Sequence, residues 1–170
     1  PHHLILVDED IPGDEGFWKM NPPLRGLADR QALIDGLLDG TIDCIATDHA
    51  PHGLEEKQQS FLNAPFGIVG SETAFQLIYT NFVETGIFTL EQVIDWMAVK
   101  PAEIFGLNAG TLTIGAPADI AVFDLATAAP IDAEAFESMA VNTPFTGWTV
   151  KGKTLMTFVD GALAWSEEAQ

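Results

Sequence analysis

Apolar and polar positions fall into blocks along this chain, and the blocks predict helices alternating with strands. From Leu27 to Leu38 the pairs Leu33/Leu37 and Ile34/Leu38 repeat at helical spacing, and Gly40 stands where such a helix would close. The next run, Ile42 to Thr47, is short and apolar and predicts a buried strand with Cys44, Ile45 and Ala46 as core positions. A helix feeding a buried strand is the rhythm of a parallel α/β sheet. Upstream, Leu4-Ile5-Leu6-Val7 is expected to be the tail of a strand, followed by an acidic loop over Asp8 to Gly16 punctuated by Gly and Pro. Gly53 to Gly70 has no clear period and reads as a long loop, a kind of segment that is often functional.

Ser71 to Glu84 predicts a helix capped by Ser71, with Phe75, Ile78 and Phe82 on one face. Thr89-Leu90-Glu91-Gln92 has the form of a capping box for a helix reaching Met97. Lys100 to Gly106 predicts a short helix with Pro early and Gly just after. Past Leu107 the pattern changes to turns and strands: Ile120 to Asp124, then Lys153 to Val159 and Ala162 to Trp165 joined by the hairpin pair Asp160-Gly161. These blocks predict an α/β part over residues 1–107 and a small β part over 108–170.

The chain has 170 residues, nearly half of them hydrophobic, enough for a globular core. It carries seven Lys plus Arg against 25 Asp plus Glu, a formal net charge of −18. Such a surface repels phosphate backbones, which argues against nucleic-acid binding. It also means that an anionic substrate would need local cations or a metal for attraction. The single Cys44 excludes an intramolecular disulfide framework and a cysteine-based zinc knuckle. No leader-like segment and no apolar run of membrane-spanning length is present, so no membrane association and a cytoplasmic location are expected.

The chemistry concentrates at Ala46-Thr47-Asp48-His49-Ala50-Pro51-His52, where an acid and two histidines follow the apolar run. In a parallel α/β barrel the C-terminal strand ends carry the chemistry. A carboxylate there can bind a hard or borderline cation, and imidazole serves as ligand or substrate contact. The same spacing equally fits an Asp that opens a turn followed by two solvated histidines. Upstream, two successive prolines in Lys19-Met20-Asn21-Pro22-Pro23-Leu24-Arg25 restrict the backbone around Asn21.

Pro1-His2-His3-Leu4, Lys19 to Arg25, Ile42 through His52 and Ala64-Pro65-Phe66-Gly67, in that order, resemble the C-terminal part of bacterial-type (class I) dihydroorotases of the cyclic amidohydrolase superfamily. Gly115-Ala116-Pro117-Ala118-Asp119-Ile120 resembles the β-subdomain that follows the barrel there. The resemblance implies the C-terminal portion of a (β/α)₈ TIM barrel plus that subdomain. It implies a zinc-dependent hydrolase, with two zinc ions per full-length subunit, that interconverts dihydroorotate and N-carbamoyl-aspartate. By the same resemblance Asp48 ligates metal and handles the proton, Asn21 and His52 bind substrate, and Phe66 and Gly67 meet the substrate's ring edge through their backbone. His2 and His3 match a segment outside the first ligand set, and His49 is read as structural. The family's His-x-His pair, its other ligands and its substrate-binding Arg have no counterpart here, so a fragment is expected, inactive and nearly metal-free by itself. Homo-oligomers are implied, with aspartate transcarbamoylase as a candidate partner. The alternatives are allantoinase, hydantoinase or dihydropyrimidinase on the same scaffold, or a non-catalytic dihydroorotase-like partner protein.

Overall fold

The computed structural model describes residues 1–169 of the chain. The chain forms two units. The first comprises Pro1–Ile42, Ala46–Phe75 and Pro130–Thr149, and the second Asp43–Ile45, 76–129 and 150–169.

In the first unit, α1 (His2–Ile5) is followed by the helix α2 (Leu27–Leu38). Helix α2 buries Ile34 and Leu37 and leaves Leu38 exposed. The Arg30 guanidinium donates to the Ile5 carbonyl at 2.9 Å, and the Asp8 amide donates to the Arg25 carbonyl, so the two segments are pinned at both ends. Leu4, Leu6, Val7, Met20, Leu24, Ile68, Val69 and Phe145 complete this unit's core. A third helix, α3 (Leu54–Lys57), interrupts the region expected to be a loop, and the Glu56 carboxylate accepts the Gly53 amide at its start.

Three expectations change here. Leu4 to Val7 is not a strand tail, because the Pro1 and His2 carbonyls accept the Leu4 and Leu6 amides and wind the start of the run into α1. Ile42 to Thr47 forms no ladder, and Cys44 and Ile45 are only half-buried. A strand is made by its neighbours, and among the described residues the pairing reduces to one parallel bridge, His49 to Ile68. Ser71 does not cap the next helix, because α4 starts only at Ala74, three residues on.

The second unit holds the end of α4 (Ala74–Ile78), a π-helical turn over Tyr79–Val83, α5 (Leu90–Ile94), a second π-helical turn over Asp95–Val99, and α6 (Lys100–Phe105). The capping box forms: the Thr89 hydroxyl accepts the Gln92 amide at 3.2 Å and the Gln92 side-chain oxygen accepts the Thr89 amide at 2.8 Å. Thr89→Ala should therefore cost about 1 kcal/mol, read as a lower denaturant midpoint with unchanged slope. Phe82, Phe88 and Trp96 stack edge and face in the core, with ring centroids 4.7 and 4.9 Å apart. Gly106 closes α6 in the left-handed conformation.

The same unit carries an antiparallel sheet ordered β1 (Ile120–Asp124), β2 (Lys153–Val159), β3 (Ala162–Ser166). Its register pairs Ile120 with Phe158 and Phe158 with Leu163, with a bulge in each ladder. Asp160 and Gly161, both at positive φ, make the predicted hairpin turn.

Candidate active site

The site lies within the first unit. It is built from the turn after Thr47, the loop before α2 and the segment Ala64 to Gly70. Asp48 has φ +52°, a left-handed conformation that costs a non-glycine residue energy. That turn leaves the carboxylate exposed and sends the chain back so that the Ala50 amide reaches the Ile68 carbonyl at 2.9 Å. His49 Nδ1 accepts the Gly70 and Ser71 amides at 3.1 and 3.3 Å. Its ring hydrogen therefore sits on Nε2. That geometry gives His49 a structural part: its ring anchors the start of the next segment.

His52 is half-buried. Its Nε2 lies 2.7 Å from the Phe66 carbonyl. A carbonyl only accepts, so this Nε2 carries the hydrogen, and Nδ1 can donate to a ligand only in the imidazolium form. The His52 backbone amide donates to Asn142 Oδ1 at 3.1 Å. Phe66 itself is exposed, and the Lys19 ammonium sits 4.5 Å from its ring centroid.

Gly67 is buried at φ +121°. Its amide donates to the Lys19 carbonyl at 3.0 Å, and its carbonyl accepts from Lys57 Nζ at 2.8 Å and from Asn142 Nδ2 at 3.1 Å. Asn21 is exposed and joined to Pro22 by a cis peptide. It follows the buried pair Lys19-Met20. The structure thus gathers His52, Phe66 and Gly67 into one hydrogen-bonded cluster and ties the Asn21 segment to it through Lys19.

His3 links the remaining pieces. Burial lowers its pKa most, while the Asp48 carboxylate and the Pro22 backbone act to hold its proton. His2 beside it is buried, and burial foremost drives its pKa down to about 3, which keeps its ring neutral. The two rings are 4.4 Å apart.

Two residues absent from the sequence reading organise the cluster. Lys57, with no exposed surface, donates its three ammonium hydrogens to the carbonyls of Lys19, Pro65 and Gly67 at 3.0, 3.0 and 2.8 Å. Asn142, 1% exposed, uses both amide hydrogens on the Ala50 and Gly67 carbonyls. The only sequence signals were a lysine in a chain poor in cations and the turn-rich run Asn142 to Gly147.

As a metal ligand, Asp48 offers a suitable carboxylate, but the described residues include no group of three or more His, Cys, Asp or Glu able to hold an ion. Catalytic zinc generally needs three protein ligands. The described residues therefore do not make a complete metal centre.

The chain belongs to the Amidohydrolase family, whose sequence model matches residues 24–164. Within that family its similarity is to proteins named dihydroorotase. That of Bacillus caldolyticus is 62% identical over 167 residues, covering 98% of this chain and 39% of the relative. That of Halalkalibacterium halodurans is 59% identical over 168 residues, covering 99% and 39%. The chain thus spans about two fifths of the length of the relatives it matches. Among solved structures, the L-hydantoinase (dihydropyrimidinase) of Arthrobacter aurescens superposes with a TM-score of 0.88 at 31% identity, covering 98% of this chain and 38% of that one. The D-hydantoinase of a Thermus species gives 0.80 at 29% identity, covering 89% and 34%. The chain carries the corresponding part of the α/β barrel architecture, together with a small β-subdomain.

Proposed function

We propose that this chain is part of a zinc-dependent dihydroorotase, which reversibly hydrolyses the cyclic amide of dihydroorotate to N-carbamoyl-aspartate. One observation carries this reading: identity is about 60% to proteins named dihydroorotase and 31% to the Arthrobacter aurescens L-hydantoinase, which shares the fold. The hydantoinase reading keeps only the shared scaffold. In this proposal residues 1–107 contribute to the barrel and 108–170 to the β-subdomain, with Asn142 reaching back into the site. A cytoplasmic location and a homo-oligomer, with aspartate transcarbamoylase as a partner, belong to the same reading. Among the described residues no helix is long and apolar enough to cross a membrane.

Asp48 is assigned two tasks, one metal ligand and the proton carrier. Its exposed carboxylate is suited to take a proton from the attacking water and pass it to the ring nitrogen as the amide C–N bond breaks. When bound, zinc would supply carbonyl polarisation and a more acidic water. The remaining ligands would come from sequence outside these two fifths. Asn21 and His52 are assigned to the substrate carboxylate, whose charge strengthens the hydrogen bonds it accepts. At the Phe66-Gly67 turn both backbone groups of Gly67 are already taken by Lys19, Lys57 and Asn142. The Phe66 carbonyl already meets His52 Nε2, so contact with the ring edge falls first to the Phe66 amide, and Gly67 serves by letting the chain come close.

The test uses the complete polypeptide and this 170-residue chain side by side. The complete protein should bind zinc and turn over dihydroorotate at least 100-fold more efficiently than hydantoin. A metal chelator should abolish that turnover, and the chain by itself should show neither zinc at stoichiometric level nor turnover. Preference for hydantoin, or a zinc-loaded complete protein inert toward dihydroorotate, would sink the assignment.

A further inference from the structure

Two of the chain's seven basic residues are buried, and both lie at the Phe66-Gly67 turn. Lys57 has no exposed surface and Lys19 is 9% exposed. Lys57 spends its hydrogens on three backbone carbonyls, and Lys19 Nζ donates to the Leu62 carbonyl at 2.7 Å while resting over the Phe66 ring. Neither has a carboxylate partner. The ion pairs among the described residues are Arg25–Asp29, Lys100–Glu103, Lys151–Glu84 and Lys153–Glu167.

Burying an ammonium without a counter-ion is costly. Carbonyl acceptors offset part of that cost, but neutral amides such as Asn142 brace the same backbone without it. Here two uncompensated cations share one loop cluster in a molecule of net charge −18. They also repel each other: burial first and the Lys19 charge second lower the Lys57 pKa to about 8. What the arrangement supplies, and neutral bracing would not, is a local positive field in an otherwise negative protein. Inside a protein such a field acts over several ångströms with little screening.

We propose that Lys19 and Lys57 are specificity-determining residues, a buried cation pair that makes the Asn21 and Phe66-Gly67 segments favour an anionic ligand over a neutral one of the same ring. The inference rests on the dihydroorotase reading for the identity of the anion. The lysines act through space, since the Lys57 hydrogens are already engaged. At an effective dielectric of about 20 and a separation of about 10 Å, loss of one unit charge weakens binding of a monoanion roughly tenfold.

The test compares Lys19→Met, Lys19→Arg and Lys57→Met in the complete, zinc-loaded protein. Equilibrium binding is measured for orotate, an anion, and for uracil, the same ring without the carboxylate, at low and high salt. Lys19→Met and Lys57→Met should each weaken orotate about tenfold, leave uracil within twofold, and flatten the salt dependence. Lys19→Arg, which keeps the charge, should stay within twofold of the parent. For dihydroorotate turnover the loss should appear in KM, with kcat within threefold and zinc content unchanged. Equal losses for orotate and uracil, or equal behaviour of Lys19→Met and Lys19→Arg, would overturn the proposal. If Lys57→Met does not fold, the Lys19 pair of variants decides alone. Failure of the parent to turn over dihydroorotate would strike the dihydroorotase reading instead, because the orotate-to-uracil ratio is read without turnover.

Discussion

Replacing Asp48 by Asn in the complete, zinc-loaded protein should lower kcat about 10³-fold or more, the range that loss of a positioned proton carrier produces. The backbone geometry makes this substitution informative. Asp48 sits at φ +52°, and Asn is among the few residues that enter that region at low cost. Asp48→Asn should therefore keep the turn, the Ala50-to-Ile68 hydrogen bond and the melting temperature of the parent. Asp48→Ala should lose the same activity and in addition about 1 kcal/mol of stability, because alanine pays the left-handed penalty. The measurements are kcat, bound zinc and thermal unfolding on all three proteins. An Asp48→Asn variant that retains a tenth of the parental rate with full metal content would remove Asp48 from the proton-carrying task.

Elements whose information is local were legible in the sequence. Helix α2 runs from Leu27 to Leu38 as its spacing predicts, Thr89 and Gln92 close their reciprocal cap, and Asp160-Gly161 turns the hairpin. Segments whose state depends on distant partners were not. Leu4 to Val7 and Ile42 to Thr47 are short apolar runs, and such runs do not distinguish helix from strand without knowledge of what pairs with them. Ser71 fits a cap by residue type, but α4 begins only at Ala74, while the Gly70 and Ser71 amides are tied to His49, more than 20 residues away.

The site divides along the same line. Asp48, Asn21, His52, Phe66 and Gly67 stand out because they form short ordered motifs, and three of them meet in one cluster. Lys57 and Asn142 were invisible because their meaning lies in long-range partners: Lys57 reaches the Lys19 carbonyl across 38 residues, and Asn142 the Ala50 carbonyl across 92. A buried lysine looks like a surface lysine until the carbonyls around it are known. Position 142 also ties the later part of the chain to this cluster, since its side-chain oxygen accepts the His52 backbone amide.

Gly67→Ala should destabilise the protein by about 3 kcal/mol or more, combining left-handed strain with overpacking. A Cβ at this position would lie 2.4 Å from the Ala50 Cβ and 3.3 Å from His52 Nε2. The first contact is impossible without backbone movement, because Ala50 is a short side chain fixed by its bonds to Ile68 and Asn142. Movement of Gly67 in turn disturbs its bonds to Lys19, Lys57 and Asn142, so the Asn21 and His52 segments should lose their register together. Gly40 provides the matched control. It also has a positive φ, +80°, but an added Cβ there meets nothing within 4 Å. Gly40→Ala should therefore cost only the backbone strain, about 1 kcal/mol, and leave KM unchanged. Chemical denaturation of the two variants, with KM for dihydroorotate measured at a temperature where both are folded, separates strain from crowding. If the two alanines cost the same, the close approach of Gly67 to Ala50 is not a constraint on the site. If Gly67→Ala alone also raises KM, crowding at that turn is transmitted to the groups that hold the substrate.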